Sequence, residues 1–279
     1  MATTITIGGD LTVNRLGFGA MRISGPGIWG DPPDPSAARR LLRRAVELGI
    51  DFIDTADSYG PEVSERLIFD ALHPYPEGLV IATKGGIVRP AASQWVRDGR
   101  PAHLREACLA SLRRLRLERI DLYQLHAIDP QVPLEESLGE IARLQREGFI
   151  RHVGVSNFDA GELARARSIV EVVSVQNRYN VSDRSSDPVL AICERDGLAF
   201  IPWSPLSRAP GDAHAGARAA LERWAVQREA SFSQAATAWL LARSRAMLPI
   251  PGTSRIEHLE DNTVAASMRF TPEELLEIG

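Results

Sequence analysis

Four residues in the first half of the chain carry groups suited to moving a proton: Asp54, Tyr59, Lys84 and His126, in the stretches "DTADSYG", "IATKGG" and "DLYQLH". A tyrosine is a useful acid only if its pKa falls from about 10 toward neutrality, which takes roughly 4 kcal/mol for three units. An ammonium about 4 Å away, at an effective dielectric near 20, supplies about that much. Lys84 is therefore expected to activate Tyr59. A lysine in a water-poor site tends to lose its proton, and a neighbouring Asp54 carboxylate opposes that loss. His126, as a donor, could hold a carbonyl oxygen beside the tyrosine hydroxyl. Together the four would protonate an oxygen as charge develops on it. No metal-ligand cluster, nucleophile elbow or P-loop competes for the role. Each residue alone also has a structural explanation: Asp54 as a helix cap, Lys84 as a solvated strand end, His126 as a satisfied core histidine, Tyr59 as a snorkelling ring.

What lifts the set above those explanations is where its members fall along the chain. A hairpin signal ("ITIGGDLTV") is followed by strand-like runs: "LGFGAM", "FIDTA", "LVIATK", "IDLYQLH", "HVGVSN", "VVSVQ", "AFIPWS" and "MLPIPG". Helical patterns alternate with them, at 36–48, 62–72, 102–115, 134–147 and 162–167. Pro133 suits a first helical turn, and Asp159 with Glu162 reads as a capping box. Eight strands alternating with helices over about 250 residues is the arithmetic of a (β/α)8 barrel, an α/β TIM barrel, here preceded by a short β-hairpin. No composition break or linker divides residues 1–279, so a single barrel domain is expected. In such a barrel, function sits at the C-terminal ends of the strands. There the sequence places Asp54 and Tyr59, Lys84, His126, Ser156 and Asn157, Gln176 and Trp203.

The stretch "GPGIWG" (25–30) matches the G-x-G-x-x-G dinucleotide fingerprint. That fingerprint works only where a helix leaves the turn directly. Here Pro32, Pro33 and Pro35 follow, and proline removes donors and biases its predecessor away from the helical region. No helix can begin before about Pro35, so the stretch reads as a rim loop after the first strand.

Composition sets further bounds. The 279 residues carry a formal net charge of −4 with 24% charged residues, which gives no electrostatic case for nucleic acid or an anionic membrane. The apolar runs fall far short of about 20 residues, and "MATTITIGG" lacks a signal sequence. Cys108 and Cys193 lie in helical patterns without metal-ligand spacing and read as packed, reduced thiols of a cytoplasmic protein. A monomer is compatible with the sequence, which does not otherwise speak to oligomeric state.

With these residues in view, the chain resembles the aldo-keto reductases over essentially its whole length. "RLGFGAM", "DTADSYG", "ATKGG", "DLYQLH", "HVGVSNF", "VQNRYN", "PWSPL" and "PIPGTSRIEHLEDN" match the family's motifs in order and spacing. The resemblance implies a tetrad of Asp54, Tyr59, Lys84 and His126 with Tyr59 as general acid. It also implies NADPH (or NADP+) bound without a Rossmann fold, and reduction of a small-molecule aldehyde or ketone by hydride transfer. On the family's pattern Ser156, Asn157 and Gln176 bond the nicotinamide carboxamide and Trp203 stacks on its ring; Ala20, Met21, Ser204, Gly252 and Asp261 are further cofactor-binding positions. Leu206 and Ser207 line the pyrophosphate. Thr253, Ser254, Arg255, His258 and Asn262 hold the 2′-phosphate and adenine.

Many animal members carry lysine and arginine where this chain has Gly252 and His258, a departure that bears on cofactor choice. "VNRLGFGAMRISGPGIWGDPPD" resembles bacterial members akin to pyridoxal reductases. Trp29 is expected to wall the substrate pocket together with Tyr59 and His126. The sequence stops soon after "EELLEIG", which implies an open pocket. Two other readings share these motifs: an NADPH-binding sensor or subunit with slow turnover, and a lyase using Lys84 as a Schiff-base amine.

Overall fold

The structure, a computed structural model, describes residues 3–205 and 214–279. It begins with an antiparallel hairpin, β1 (Thr4–Ile7) and β2 (Leu11–Asn14). Strands and helices then alternate: β3 (Phe18–Gly19), α1 (Pro35–Glu47), β4 (Phe52–Asp54), α2 (Val63–Leu72) and β5 (Val80–Gly85). A small hairpin, β6 (Ile87–Val88) with β7 (Val96–Arg97), interrupts before α3 (Pro101–Leu115). There follow β8 (Ile120–Leu125), α4 (Leu134–Arg146), β9 (Ile150–Ser156), α5 (Ala160–Ile169), β10 (Val172–Gln176), α6 (Asp187–Asp196) and β11 (Ala199–Phe200). The helices α7 (Ala215–Gln227), α8 (Phe232–Arg243), α9 (Ile256–Val264) and α10 (Pro272–Ile278) complete the chain.

Seven strands form one parallel sheet in the order β11-β10-β9-β8-β5-β4-β3. The eighth expected strand, "MLPIPG", forms no ladder of its own, because Pro249 and Pro251 lack the N–H a ladder needs. It still closes the circle. The Leu248 amide donates to the Phe200 carbonyl at 2.9 Å on one side, and on the other the Gly17 amide donates to the Pro249 carbonyl at 3.0 Å. The result is an eight-stranded barrel.

Local chemistry accounts for the boundaries. α1 starts at Pro35, where Asp34 accepts hydrogen bonds from the amides of Ser36 and Ala37, so no helix leaves the Gly-rich loop directly. Its buried residues Ala38, Leu41, Leu42 and Ala45 recur at the spacing of one helical face. The Asp159–Glu162 capping box is present at the start of α5. Pro133 stands one position earlier than expected, as the cap of α4 rather than its first turn. Only Phe18 and Gly19 of "RLGFGAM" are strand; Ala20–Ile23 turn into a 3-10 helix. Inside the barrel, Phe52, Val80, Ala82, Leu122, Leu248 and Ile250 pack with Ile7, Leu11 and Val13, so the N-terminal hairpin plugs the bottom. The two cysteines are buried and unpaired, and burial pushes both thiols up to about 12. No helix among the described residues is long and apolar enough to cross a membrane.

Candidate active site

Inward-facing positions change character toward the C-terminal ends of three adjacent strands. Phe52, Ala82 and Leu122 belong to the barrel-filling cluster. Two residues further along each strand, on the same face, stand Asp54, Lys84 and Gln124. The parallel register sets Asp54 beside Ala82 and Lys84 beside Gln124. A core therefore gives way to a buried polar layer within one strand repeat.

That layer is organised around Lys84, whose side chain is fully buried. Its ammonium donates to Asp54 Oδ2 at 2.7 Å, to the Thr55 carbonyl at 2.8 Å and to Tyr59 Oη at 3.3 Å. All three of its hydrogens are thus directed. Asp54 Oδ1 accepts in turn from Gln176 Nε2 at 2.7 Å and from Gln124 Nε2 at 3.2 Å. Burial alone would strip the Lys84 proton, but Asp54 and Tyr59 outweigh it and hold the ammonium above the ordinary lysine range.

Tyr59 departs from expectation. Burial raises its phenol above the usual value; Lys84 pulls it down, Asp54 and Asp57 push it up, and burial wins. The anticipated fall toward neutrality is therefore corrected for this unliganded site, because desolvation exceeds the attraction of one ammonium that is shared with Asp54. The phenol keeps its proton, and Lys84 is placed to stabilise negative charge only as that proton departs. His126 behaves as a neutral imidazole: burial, reinforced by the Lys84 charge, holds it well below its ordinary value. Its Nδ1 lies 3.4 Å from Ser58 Oγ, and its ring meets the Tyr59 ring edge-on at 5.9 Å.

Tyr59 and His126 open onto a cavity of about 410 Å³ at the C-terminal end of the barrel. Asp54, Ser156, Asn157, Gln176, Trp203 and Ser204 line it as well, as do Met21 and Gly252. Asn157 and Ser204 take left-handed backbone conformations, φ 63° and 53°, costly for non-glycine residues and found where a side chain must be aimed. Asn157 donates to the His126 carbonyl at 3.0 Å, and the Trp203 indole N–H donates to Asn157 Oδ1 at 3.1 Å. Ser156 Oγ donates to the Gln176 carbonyl at 2.9 Å. Ala20 is buried and is not among the residues lining the cavity; its carbonyl accepts from Ser64 Oγ at 3.2 Å.

Beyond Gly252 the chain runs to the start of α9. The Arg255 amide donates to Thr253 Oγ1 at 3.1 Å, while its exposed guanidinium lies 3.4 Å from Glu257 Oε2. Ser254 and His258 are exposed, Asn262 is buried, and Asp261 Oδ1 is 3.5 Å from Gln234 Nε2. Gly252 has a steric reason: a Cβ there would lie 2.6 Å from the Gly19 carbonyl oxygen. Leu206 and Ser207 lie outside the described residues.

The expected pocket wall, Trp29, is not among the residues lining this cavity; Trp95 is. Trp29 is drawn aside by a backbone bridge to Gly60. Between the two indoles sits Arg89, its guanidinium 3.7 Å from the Trp95 ring centroid and 5.6 Å from that of Trp29. Arg89 donates to the carbonyls of Ile28, Ser58 and Gly27, which ties the loops after β3 and β4 to the β6–β7 hairpin. Sequence reading passed over Gln124, Arg89 and Trp95. Gln124 had a signal, two residues before His126 on the inward face of a strand. The other two sit in a loop without periodicity.

The aldo/keto reductase family profile matches residues 15–279, all of the chain after the hairpin. The chain belongs to the aldo/keto reductase family. As such it is an oxidoreductase of carbonyl compounds. It is 49% identical over 272 residues to an uncharacterised oxidoreductase of Schizosaccharomyces pombe, covering 98% of this chain and 87% of that one. It is 39% identical over 280 residues to pyridoxine 4-dehydrogenase of Escherichia coli, covering 98% and 96%. Among solved structures, an aldo-keto reductase from Klebsiella pneumoniae in complex with NADPH superposes with a TM-score of 0.82 at 25% identity, covering 100% of this reductase and 94% of its own chain.

Proposed function

We propose that this aldo-keto reductase reduces an aldehyde or ketone with NADPH, using Tyr59 as general acid within a tetrad completed by Asp54, Lys84 and His126. The observation that carries the reading is the buried Lys84 ammonium, joined to Asp54 Oδ2 at 2.7 Å and to Tyr59 Oη at 3.3 Å beneath an open cavity. The fit to NADPH rests on the donor set. Ser156, Asn157 and Gln176 offer amide and hydroxyl groups to a carboxamide, and Trp203 offers a ring face. The start of α9, with Arg255 and His258, offers amides and positive charge to a 2′-phosphate. Gly19 and Gly252 both line the cavity and pack backbone against backbone, a Cβ on Gly252 falling 2.6 Å from the Gly19 carbonyl oxygen. The complex of the Klebsiella relative with NADPH supports the same choice. When bound, NADPH supplies the hydride.

The protein's own part is to hold and move one proton. In its Nε2–H tautomer, which leaves Nδ1 to accept from Ser58 Oγ 3.4 Å away, His126 can hold the substrate's carbonyl oxygen. Tyr59 Oη then gives that oxygen its proton as negative charge builds there. Lys84 stabilises the phenolate that remains, and Asp54 keeps Lys84 charged. A Schiff base would need a neutral amine, which the Asp54 pair disfavours. The reading takes residues 1–279 as one domain working on a small-molecule carbonyl in the cytoplasm.

The test follows NADPH absorbance with a panel of aldehydes and ketones. Tyr59→Phe keeps the ring and should bind NADPH as the wild type does. Its turnover should fall by about 10² to 10⁴, the worth of a positioned general acid. A variant still reducing carbonyls within threefold of wild type would overturn the mechanism.

A further inference from the structure

The hydrogen bonds around Asp54 constrain one amide beyond the proton transfer itself. An ionised carboxylate only accepts. Oδ2 is taken by Lys84, and Oδ1 faces two amide groups, Gln124 Nε2 at 3.2 Å and Gln176 Nε2 at 2.7 Å. Since Gln124 presents its nitrogen to Asp54, its oxygen is free to face Gln176, and Gln176 Nε2 indeed lies 3.4 Å from Gln124 Oε1. Both hydrogens of the Gln176 amide are thus directed away from the cavity that the residue lines. Turning this amide over would set its oxygen against Asp54 Oδ1 and Gln124 Oε1, acceptor against acceptor, in a buried site where an unmatched polar contact is costly.

We propose that Asp54, with Gln124, is a positioning residue for the cofactor as well as a member of the tetrad. Together they lock Gln176 with its amide oxygen toward the cavity, so that this side of the site accepts a hydrogen bond and selects a nicotinamide whose carboxamide offers an N–H. The inference rests on the reading that the nicotinamide binds beside Gln176. Asp54 would then join two tasks through its two oxygens, Oδ2 ordering the proton donor and Oδ1 ordering the carboxamide acceptor.

The test reads binding alone and needs no turnover. Dissociation constants are measured by fluorescence quenching for NADP+ and for its 3-acetylpyridine analogue, in which a methyl replaces the carboxamide NH2. Wild-type enzyme should bind NADP+ about fivefold more tightly than the analogue, the size of one neutral hydrogen bond. In Asp54→Asn the Lys84 ammonium keeps the asparagine oxygen on its side, so the asparagine NH2 faces Gln176 and forces that amide to turn. The fivefold preference should collapse to less than twofold. Gln176→Leu removes the acceptor and should collapse it too, with no dependence on the tetrad. A preference that survives in Asp54→Asn but vanishes in Gln176→Leu would overturn the positioning role while leaving the nicotinamide beside Gln176. A preference that survives in both would place the carboxamide elsewhere and overturn the parent reading with it. The folding control is the far-ultraviolet spectrum of each variant, which should match wild type because both substitutions are close in size to the residues they replace.

Discussion

Lys84 and Arg255 are the two cations at opposite ends of the proposed cofactor site, and they are held in opposite ways. The Lys84 side chain is 0% exposed and all three of its hydrogens have partners, whereas that of Arg255 is 63% exposed and, among the described residues, pairs with Glu257 at 3.4 Å. The first is fixed by the end of β4 and the loop that follows it before any ligand arrives. The second stands on a helix cap, free to change partner. On the proposed mechanism the Lys84 charge must be aimed to within a fraction of an ångström, which a place in the barrel wall provides. Charge that only attracts a phosphate works from a solvated surface, where an exposed ion pair contributes little to hold it back.

Lys84→Met tests the first half of that contrast and should have the largest effect. Removing one partner of a buried ion pair leaves the Asp54 carboxylate uncompensated, at about 3–5 kcal/mol of stability. Turnover should fall as far as in Tyr59→Phe, and the double variant should be little worse than either single one, since both disable the same proton transfer. Denaturant unfolding and steady-state kinetics read the two effects separately. Losses that simply add would show Lys84 and Tyr59 acting on different steps.

Arg255→Ala probes the other end. NADPH binding should weaken by about 1.5–3 kcal/mol, the range of a charge-assisted bond, with NADH nearly unaffected. The NADPH preference should also shrink with added salt, because the guanidinium is exposed. Equal losses for both cofactors would remove the 2′-phosphate from this site.

The same contrast governs how much could be read from the sequence. Asp54, Lys84 and His126 were legible because strand ends in an alternating β/α pattern converge on one rim, whatever their neighbours. The barrel was legible for the same reason, down to the start of α1 at Pro35. Three features were not. The eighth strand was expected from its apolar residues, yet Pro249 and Pro251 reduce it to isolated hydrogen bonds. The Tyr59 pKa was judged from one charge at an assumed distance, while burial, a property of the assembled barrel, sets its direction. Trp29 was placed on the cavity by its loop, but side-chain placement there depends on Arg89 gathering three loops that are distant in sequence. Periodicity carries no information about such contacts.

Gly252 sits between the rigid and the exposed end, and a smaller effect is expected from changing it. A Cβ at this position would meet the Gly19 carbonyl oxygen at 2.6 Å, backbone against backbone, where neither side can swing away. Gly252→Ala should cost about 1–3 kcal/mol of stability, in the range of overpacked sites. It should also weaken NADPH and NADH alike, because Gly252 lines the cavity short of α9. A loss confined to NADPH would move Gly252 into the phosphate end.

The smallest effect concerns pH, and it sharpens what burial means at the rigid end. His126 has its folded-state pKa held well below the ordinary value by burial and by Lys84, so the unfolded chain takes up a proton, near pH 6.5, that the folded protein refuses. More protons on the unfolded state means that stability rises with pH across this window and is lost as pH falls below about 6.5. The slope for one group is at most about 1.4 kcal/mol per pH unit. Asp57 runs the other way: burial, helped by Glu65, raises its carboxyl well above the usual value, so its contribution is lost as pH rises from the unfolded carboxylate range toward the folded pKa. The two must be separated by difference. His126→Gln removes the histidine contribution and leaves Asp57 in place, so the fall in Tm between pH 7 and pH 5 should be smaller in the variant than in wild type. Reductive kcat/KM of the wild type should show no bend near pH 6.5, since the imidazole is already neutral there. A bend at that pH, together with an unchanged Tm difference, would mean that His126 titrates normally and that this end of the site is open to water.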